Sequence, residues 1–302
     1  MPPVNERHLW QNGVCMPNIK TTNGTVLMIA SALMWSTGGV LIKLLPWHPL
    51  VISSIRSMIA ALVLYGVMRY SKTKICFNRL ALLSGGFLGL STSFFVVSNK
   101  MTTAANAIVI QSANPVFIML IMMLIYKQKV RRFDVGVMAL CMLGITLFFF
   151  DDLSPGNSVG NLLALSSAVS LAAAYVCAAK APDQSSAMTG VLIGHLITSL
   201  IGFPFLFTNT PDPKPENILI MLLLGIFQLG IPYALFSVAI RRCPPLTCSI
   251  VGMIEPVASP VWVALAVGEI PGVLALFGGV LVIATVLWWS IRNAKAQVPT
   301  EA

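Results

Sequence analysis

Charged side chains are scarce in this sequence. Lys, Arg, Asp and Glu together make up 10% of the 302 residues, while hydrophobic residues make up 57%. An average soluble protein carries roughly 25% charged residues. Polar stretches long enough to form a soluble domain are also missing. The composition therefore excludes a soluble globular protein and predicts a polytopic membrane protein.

The sequence also lacks the motifs of several common functions. Its six cysteines are scattered without a CxxC pair, and it has three histidines, so neither a metal site nor a disulfide framework is predicted. A Walker A loop is missing, which argues against an ATP-driven pump. The formal net charge of +9 does not indicate nucleic-acid binding, because the basic residues lie in short gaps between apolar segments. We expect no cofactor, no metal and no nucleic-acid partner.

Apolar segments of about 20 residues recur along the chain, which is the length that an α-helix needs to cross a hydrocarbon core of about 30 Å. Barrel strands are much shorter, so an all-α fold is predicted. Residues 1–23 lack the apolar core of a signal peptide and are predicted to be a short tail, as are residues 292–302. We predict ten transmembrane helices at residues 24–45, 49–70, 79–99, 103–125, 133–150, 158–179, 187–207, 217–239, 246–267 and 271–291.

The loops between these segments differ in charge. If the N-terminal tail is cytoplasmic, fifteen Lys and Arg residues fall on the cytoplasmic side and only Lys43, Lys100 and Lys214 fall on the other side. Basic residues of short loops are retained in the cytoplasm. We therefore expect both termini to be cytoplasmic in a multi-pass protein of a bacterial plasma (inner) membrane.

Two pairs of segments are similar to each other at a nearly constant separation. Residues 108–117, IVIQSANPVF, resemble residues 249–258, SIVGMIEPVA, so Asn114-Pro115 corresponds to Glu255-Pro256. Residues 24–32, GTVLMIASA, resemble residues 160–168, GNLLALSSA. An internal repeat of about half the chain length is indicated.

The repeat divides the ten segments into two sets of five, residues 24–150 and residues 158–291. Because five is odd, the second set crosses the membrane in the opposite direction from the first. Secondary transporters use such inverted repeats and bind substrate near the membrane midplane between them. We therefore predict two inverted five-helix repeats that enclose a substrate site.

The chain resembles an EamA-type member of the drug/metabolite transporter superfamily over essentially all of residues 24–291. This resemblance implies two five-helix EamA repeats around a central cavity, with alternating access for small organic solutes. The first repeat has Lys127-Gln128-Lys129 where the second has Gly268-Glu269, so a role for a glutamate there is implied only in the second repeat. The residues that carry the resemblance are Trp35-Ser36, Lys43, Arg56, Ala60-Ala61, the stretch 104–115, Pro256 and Gly268-Glu269.

Glu255 is the strongest candidate for a functional residue. It is the one acidic residue in the body of the ninth segment, and about ten residues at 1.5 Å each place it roughly 14 Å deep. An ionisable group at that depth is costly and marks a functional site by default. We expect Glu255 either to couple transport to protons or to contact a cationic group of the substrate. The alternative is a protonated glutamate that bonds a neighbouring helix.

Six further residues are candidates for substrate binding or coupling. Arg56 is predicted to bind a substrate carboxylate or to anchor its helix at the outer mouth. His195 is predicted to relay protons or to pack as a neutral side chain. The three amide side chains either line the cavity or bond helix to helix. The six are Trp35, Arg56, Gln111, Asn114, His195 and Gln228.

Four aromatic residues, Trp35, Tyr175, Tyr233 and Trp262, are candidates for a cage around an ammonium group, because aromatic ring faces attract cations. The alternative is that they anchor helix ends at the membrane interface. Trp35 lies in the middle of its segment and is the best of the four for the cavity.

These features favour a secondary transporter for a small organic metabolite or drug-like solute, such as an amino-acid-like compound or an amine. Its expected partners are the small-molecule substrate, the lipid bilayer and protons. An intramembrane enzyme is the second hypothesis, although it requires paired catalytic residues at matched depth. A channel or receptor is the third.

Overall fold

The computed structural model describes residues 24–102, 104–148, 150, 153, 157–267 and 272–296. Regular secondary structure in this part of the chain is helical, with no strand among the described residues. The predicted N-terminal tail and the Gly268-Glu269 pair lie outside the described residues.

Ten long helical segments follow one another in the described part of the chain, which confirms the predicted fold class. Most helix ends lie within a few residues of the predicted ones, but the last helix continues to Ala296 instead of ending at residue 291. The helices are α1 (Gly24–Ser36 and Gly38–Lys43), α2 (Pro49–Tyr70), α3 (Arg79–Met101), α4 (Ala104–Gln111 and Asn114–Leu124), α5 (Arg132–Phe148), α6 (Ser158–Lys180), α7 (Gln184–Gly202, followed by the short helix Phe205–Thr208), α8 (Pro215–Leu223, the π-helical Leu224–Gly230, and Ile231–Ala239), α9 (Pro245–Gly252 and Ile254–Val267) and α10 (Val273–Ala296).

The helices are suited to a lipid environment. Within the described residues, seven segments are long and apolar enough to cross a membrane, and shorter apolar helices span Pro245–Ser259 and Val273–Trp289. Large apolar side chains cover the outside of the bundle, where Leu62, Leu124 and Leu200 are 63%, 74% and 72% exposed. Apolar surface of this extent is unfavourable in water, so lipid covers it and the chain is an integral multi-pass membrane protein.

Polar side chains define where several helices begin. Asn78 accepts a hydrogen bond from the Ala81 amide at 2.9 Å at the start of α3, and Asn157 accepts one from Val159 at 2.8 Å at the start of α6. Asp183 does the same for Ser186 at 2.7 Å at the start of α7. These caps satisfy amide groups that have no partner within the helix.

The two five-helix sets hold each other through reciprocal contacts. A Cβ atom at Gly160, in the first turn of α6, would lie 2.8 Å from the Thr102 nitrogen in the connection between α3 and α4. A Cβ atom at Gly24, the first residue of α1, would lie 2.7 Å from Arg242 Cβ in the connection between α8 and α9. The first helix of each set therefore packs, near its start, against a connecting segment of the other set. This close contact leaves no room for a Cβ atom, which explains why both helices have a glycine there.

Two hydrogen bonds deeper in the bundle also join the two sets at equivalent positions. Ser31 of α1 donates to the Pro232 carbonyl of α8 at 3.1 Å. Ser167 of α6 donates to the Ser91 carbonyl of α3 at 2.8 Å. Because Ser31 and Ser167 each lie seven residues after the shared glycine, the repeat extends to individual side-chain contacts.

Candidate functional site

Helices α4 and α9 are interrupted at equivalent positions, and proline explains both interruptions. Pro115 has no N–H to donate to the carbonyl of Gln111, and the first part of α4 ends at Gln111. Pro256 has no N–H for the carbonyl of Gly252, and the first part of α9 ends at Gly252. The similarity seen in the sequence therefore corresponds to two broken helices.

The side chains next to these prolines lie at the breaks. Asn114 begins the second part of α4, and Glu255 lies in the first turn of the second part of α9. Ser249 of α9 donates a hydrogen bond to Asn114 Oδ1, which joins the two broken helices. The breaks thus bring polar groups of both repeats together inside the bundle.

A cavity of about 340 Å³ lies between the two repeats at this level. Seven helices contribute to its wall, namely α1, α2, α3, α4, α6, α8 and α9. The structure brings six of the seven predicted site residues together in this wall: Trp35, Arg56, Gln111, Asn114, Gln228 and Glu255.

Arg56 and Glu255 provide the charges of the cavity. They come from different repeats, and both side chains are partly buried. Among the described residues, neither side chain forms an ion pair or hydrogen bond, although their charges influence each other. The cavity therefore presents one cationic and one carboxylic group that the protein does not pair with each other.

The three amide side chains line the cavity and also bond helix to helix. Gln111 of α4 donates to Ser167 Oγ of α6 at 2.6 Å. Gln228 of α8 donates to the Trp35 carbonyl of α1 at 3.1 Å. Each bond joins the two repeats, as does the bond to Asn114.

Trp35, Tyr175 and Tyr233 line the cavity. The ring centroids of Trp35 and Tyr233 are 4.8 Å apart, and those of Tyr175 and Phe236 are 4.7 Å apart. We call these four residues the aromatic cluster. Trp262, the remaining aromatic candidate, points elsewhere and donates to Ser36 Oγ at 2.8 Å.

His195 is not part of the cavity wall. It lies behind Tyr233, with 4.5 Å between the ring centroids and an edge-to-face arrangement. The side chain is 1% exposed, and its Nε2 atom has no hydrogen-bond partner within the described ranges. His195 therefore contacts the cavity through the Tyr233 ring.

Small hydroxyl residues of the cavity wall were missed by the sequence analysis, including Ser91, Thr92, Ser112 and Ser259. Serine and threonine in an apolar segment give little indication of a cavity, because their hydroxyls commonly bond a carbonyl of their own helix. Thr92 bonds the Leu88 carbonyl in this way at 2.8 Å.

A second cavity of about 620 Å³ lies at the end of the bundle predicted to be cytoplasmic, and no residue of the aromatic cluster lines it. Its wall includes Lys129, Arg131, Asp134 and Arg242. Arg131 donates two hydrogen bonds of 2.8 Å to Asp134, and these bonds raise the pKa of Arg131. Trp289 donates to the same carboxylate at 3.0 Å, which fixes the wall of this cavity.

Comparison with known proteins places the chain in a family. A model of the EamA-like transporter family matches residues 22–150 and, a second time, residues 158–291. The two matches together cover most of the chain and correspond to the two helix sets. No curated protein matches the chain.

A solved crystal structure of a protein aligns with 91% of this chain and 99% of its own chain, at a TM-score of 0.76 and 16% sequence identity. At this identity the similarity concerns the fold alone. The arrangement of helices described above is therefore one that a solved protein also has.

Proposed function

The chain belongs to the EamA-like transporter family, and from that premise we propose that it is a secondary carrier for small zwitterions or amines. In this proposal the substrate binds in the 340 Å³ cavity, which is within the usual size range for small-molecule sites. The two repeats then expose the cavity to each side of the membrane in turn.

The observation that carries the proposal is the pair of opposite charges that face the same cavity without pairing. A carboxylate of the substrate would bind Arg56, since guanidinium groups match carboxylates well. An ammonium group would bind Glu255 and the ring faces of Trp35 and Tyr233. A zwitterion satisfies both charges at once, whereas a simple amine satisfies Glu255 alone.

The second cavity supports a path through the membrane. The walls of the two cavities share no residue, and in the proposed cycle the aromatic cluster lies between them. In the proposed cycle this cluster opens when the outer side closes, and the substrate leaves past the basic wall near Arg242. The predicted orientation, with cytoplasmic termini in a bacterial plasma membrane, makes this wall the cytoplasmic exit.

Counterflow in proteoliposomes tests the proposal. Purified protein would be reconstituted and loaded with one of a panel of amino acids, amines and nucleosides, with and without a pH gradient. We expect saturable, exchange-dependent uptake of at least one zwitterion or amine, and none in protein-free liposomes. Flux of nucleosides alone would overturn the assigned substrate class. Flux that neither saturates nor exchanges would indicate a channel, and product formation without flux would indicate an enzyme.

A further inference from the structure

Helix α8 contains one residue more than its counterpart α3 at the level of the cavity. Residues 84–89 of α3 read SGGFLG, whereas residues 224–230 of α8 read LGIFQLG. The two segments align when Gln228 is treated as an insertion between Phe227 and Leu229.

The packing of α3 gives the spacing without the insertion. A Cβ atom at Gly85 would lie 2.7 Å from Ile193 Cβ, and one at Gly89 would lie 2.8 Å from Ile197 Cβ. The two glycines are four residues apart, and so are their two partners on α7. This is the spacing of neighbouring turns on regular α-helices.

The equivalent packing of α8 has a different spacing. A Cβ atom at Gly225 would overlap Ile59 Cβ, and one at Gly230 would lie 2.8 Å from Val63 Cβ. The partners on α2 are again four residues apart, but the two glycines are five residues apart. Helix α8 therefore accommodates an additional residue between two fixed packing points.

The backbone absorbs this residue as a π-helical segment, Leu224–Gly230. Such segments arise from single insertions into α-helices and occur frequently at functional sites. Beyond the segment the repeats correspond again, since Pro232 and Ser91 accept equivalent hydrogen bonds. Pro232 also has no N–H for the carbonyl of Gln228, which favours the irregular backbone at this point.

The inserted side chain points into the substrate cavity. Gln228 is 5% exposed, and its Nε2 atom donates to the Trp35 carbonyl at 3.1 Å. A carbonyl only accepts hydrogen bonds, so this contact fixes which end of the amide faces Trp35. Gly38 provides the space, because a Cβ atom there would lie 2.7 Å from Gln228 Nε2.

The other end of the amide has no partner among the residues that the structure describes. Gln228 Oε1 is buried and accepts no hydrogen bond, and a buried acceptor without a partner costs roughly 1–3 kcal/mol. A residue kept only to tie α8 to α1 would not need a buried free acceptor. A substrate donor in the cavity would satisfy it.

We propose that Gln228 is a specificity-determining residue whose Oε1 atom accepts a hydrogen bond from an N–H or O–H group of the substrate. The single-residue insertion supplies this acceptor in one repeat only, so the two sides of the cavity differ chemically. The proposal rests on the proposed carrier function and defines its substrate class further, as compounds with a donor beside the charged group.

Paired compounds in which methylation removes hydrogen-bond donors test this role. The probes are ethanolamine with its N-trimethylated form choline and its O-methylated form 2-methoxyethylamine, and L-alanine with its N-trimethylated form. We expect wild-type protein to favour the unmethylated member, which has more donors, in at least one pair by about tenfold or more in KM for counterflow. Gln228→Met has a similar volume without the acceptor, and it should reduce that ratio to about one.

Removing Gln228 altogether tests the insertion itself. The deletion variant has the four-residue glycine spacing of α3, so it should fold with a melting temperature close to that of wild type and lose the same preference. Ser54→Ala is the matched control, because it removes a buried interhelical hydrogen bond of 2.8 Å to Ser199 outside the cavity wall. It should retain the preference.

The outcomes separate the two proposals. Wild-type flux with a donor preference that persists in Gln228→Met or in the deletion variant would overturn the role of Gln228 and leave the carrier function intact. Wild-type flux without preference in any pair would also overturn it. Absence of wild-type flux for all probes and for every zwitterion and amine of the larger panel would overturn the carrier proposal, and the role of Gln228 with it.

Discussion

Arg56 and Glu255 are opposite charges on different repeats that face one small cavity without pairing. Ionisable groups inside a membrane protein are costly, and they commonly pair with each other or mark a substrate or ion pathway. The absence of an ion pair between Arg56 and Glu255 is therefore informative. It leaves both groups available to a solute, and it makes the cavity close to neutral when both are ionised.

Substitution of Glu255 tests this at the level of one residue. Glu255→Gln preserves volume and hydrogen bonding but cannot ionise. We expect it to express and fold while losing either the transport of zwitterions and amines or the dependence of their flux on a pH gradient. Removal of one partner of a charge pair in a partly dry site costs about 2–5 kcal/mol, so the loss should exceed about tenfold in counterflow.

The control is Glu216→Gln, which removes an exposed carboxylate from the first turn of α8. It should leave both the rate and the pH dependence of flux unchanged. If Glu255→Gln transports with wild-type affinity, rate and pH dependence, Glu255 is a packing residue.

At the scale of helices, close packing between α3 and α7 depends on glycine. A Cβ atom at Gly89 would lie 2.6 Å from Ile197 Cγ2, and Ile197 is a stiff β-branched side chain. Gly86, three residues earlier on the same helix, has open space around its position for a Cβ atom. The two positions therefore form a matched pair within one helix.

We expect Gly89→Ala to destabilise the protein by roughly 1–3 kcal/mol, because the added methyl group forces the helices apart. Gly86→Ala should change the free energy of unfolding by less than about 1 kcal/mol. Thermal melts in detergent, followed by circular dichroism, measure both variants. Equal melting temperatures would show that α3 and α7 separate without cost and would contradict the packing described.

Much of the helical framework was predictable from the sequence. Long apolar segments locate helices because lipid requires them, and Pro115 and Pro256 indicate where α4 and α9 break, because each removes a backbone donor. The resemblance between residues 108–117 and 249–258 also identified Asn114-Pro115 and Glu255-Pro256 as equivalent. The polar residues beside the breaks were therefore the best candidates, and they do lie in the cavity wall.

Other features depend on which face of each helix points inward, and a helix that is apolar on all sides gives little indication of that. His195 was for this reason not separable from the cavity residues, although it lies behind Tyr233. Trp35, by contrast, was separable from Trp262 by its position in the middle of its segment. The π-helical segment of α8 became recognisable only when the glycine contacts with α2 fixed the spacing.

At the scale of the whole molecule, the two cavities make alternating access testable. Ser112 lines the substrate cavity and Thr247 lines the second cavity. In a variant without other cysteines, Ser112→Cys and Thr247→Cys would each report on one cavity. With the predicted orientation, a membrane-impermeant thiol reagent should reach Ser112→Cys from outside intact cells and Thr247→Cys only from the inside of opened vesicles.

Substrate should change the two labelling rates in opposite directions, because the repeats close one side as they open the other. The measurement is the labelling rate of each cysteine with and without the compound that shows the highest counterflow in proteoliposomes. Gly86→Cys is the control. This position lies outside both cavity walls, so the labelling rate of its cysteine should not respond to the compound. Equal acceleration at Ser112→Cys and Thr247→Cys would mean that both ends open together, as in a channel. Labelling of Thr247→Cys from outside intact cells would instead contradict the predicted orientation, because the second cavity lies at the end of the bundle predicted to be cytoplasmic.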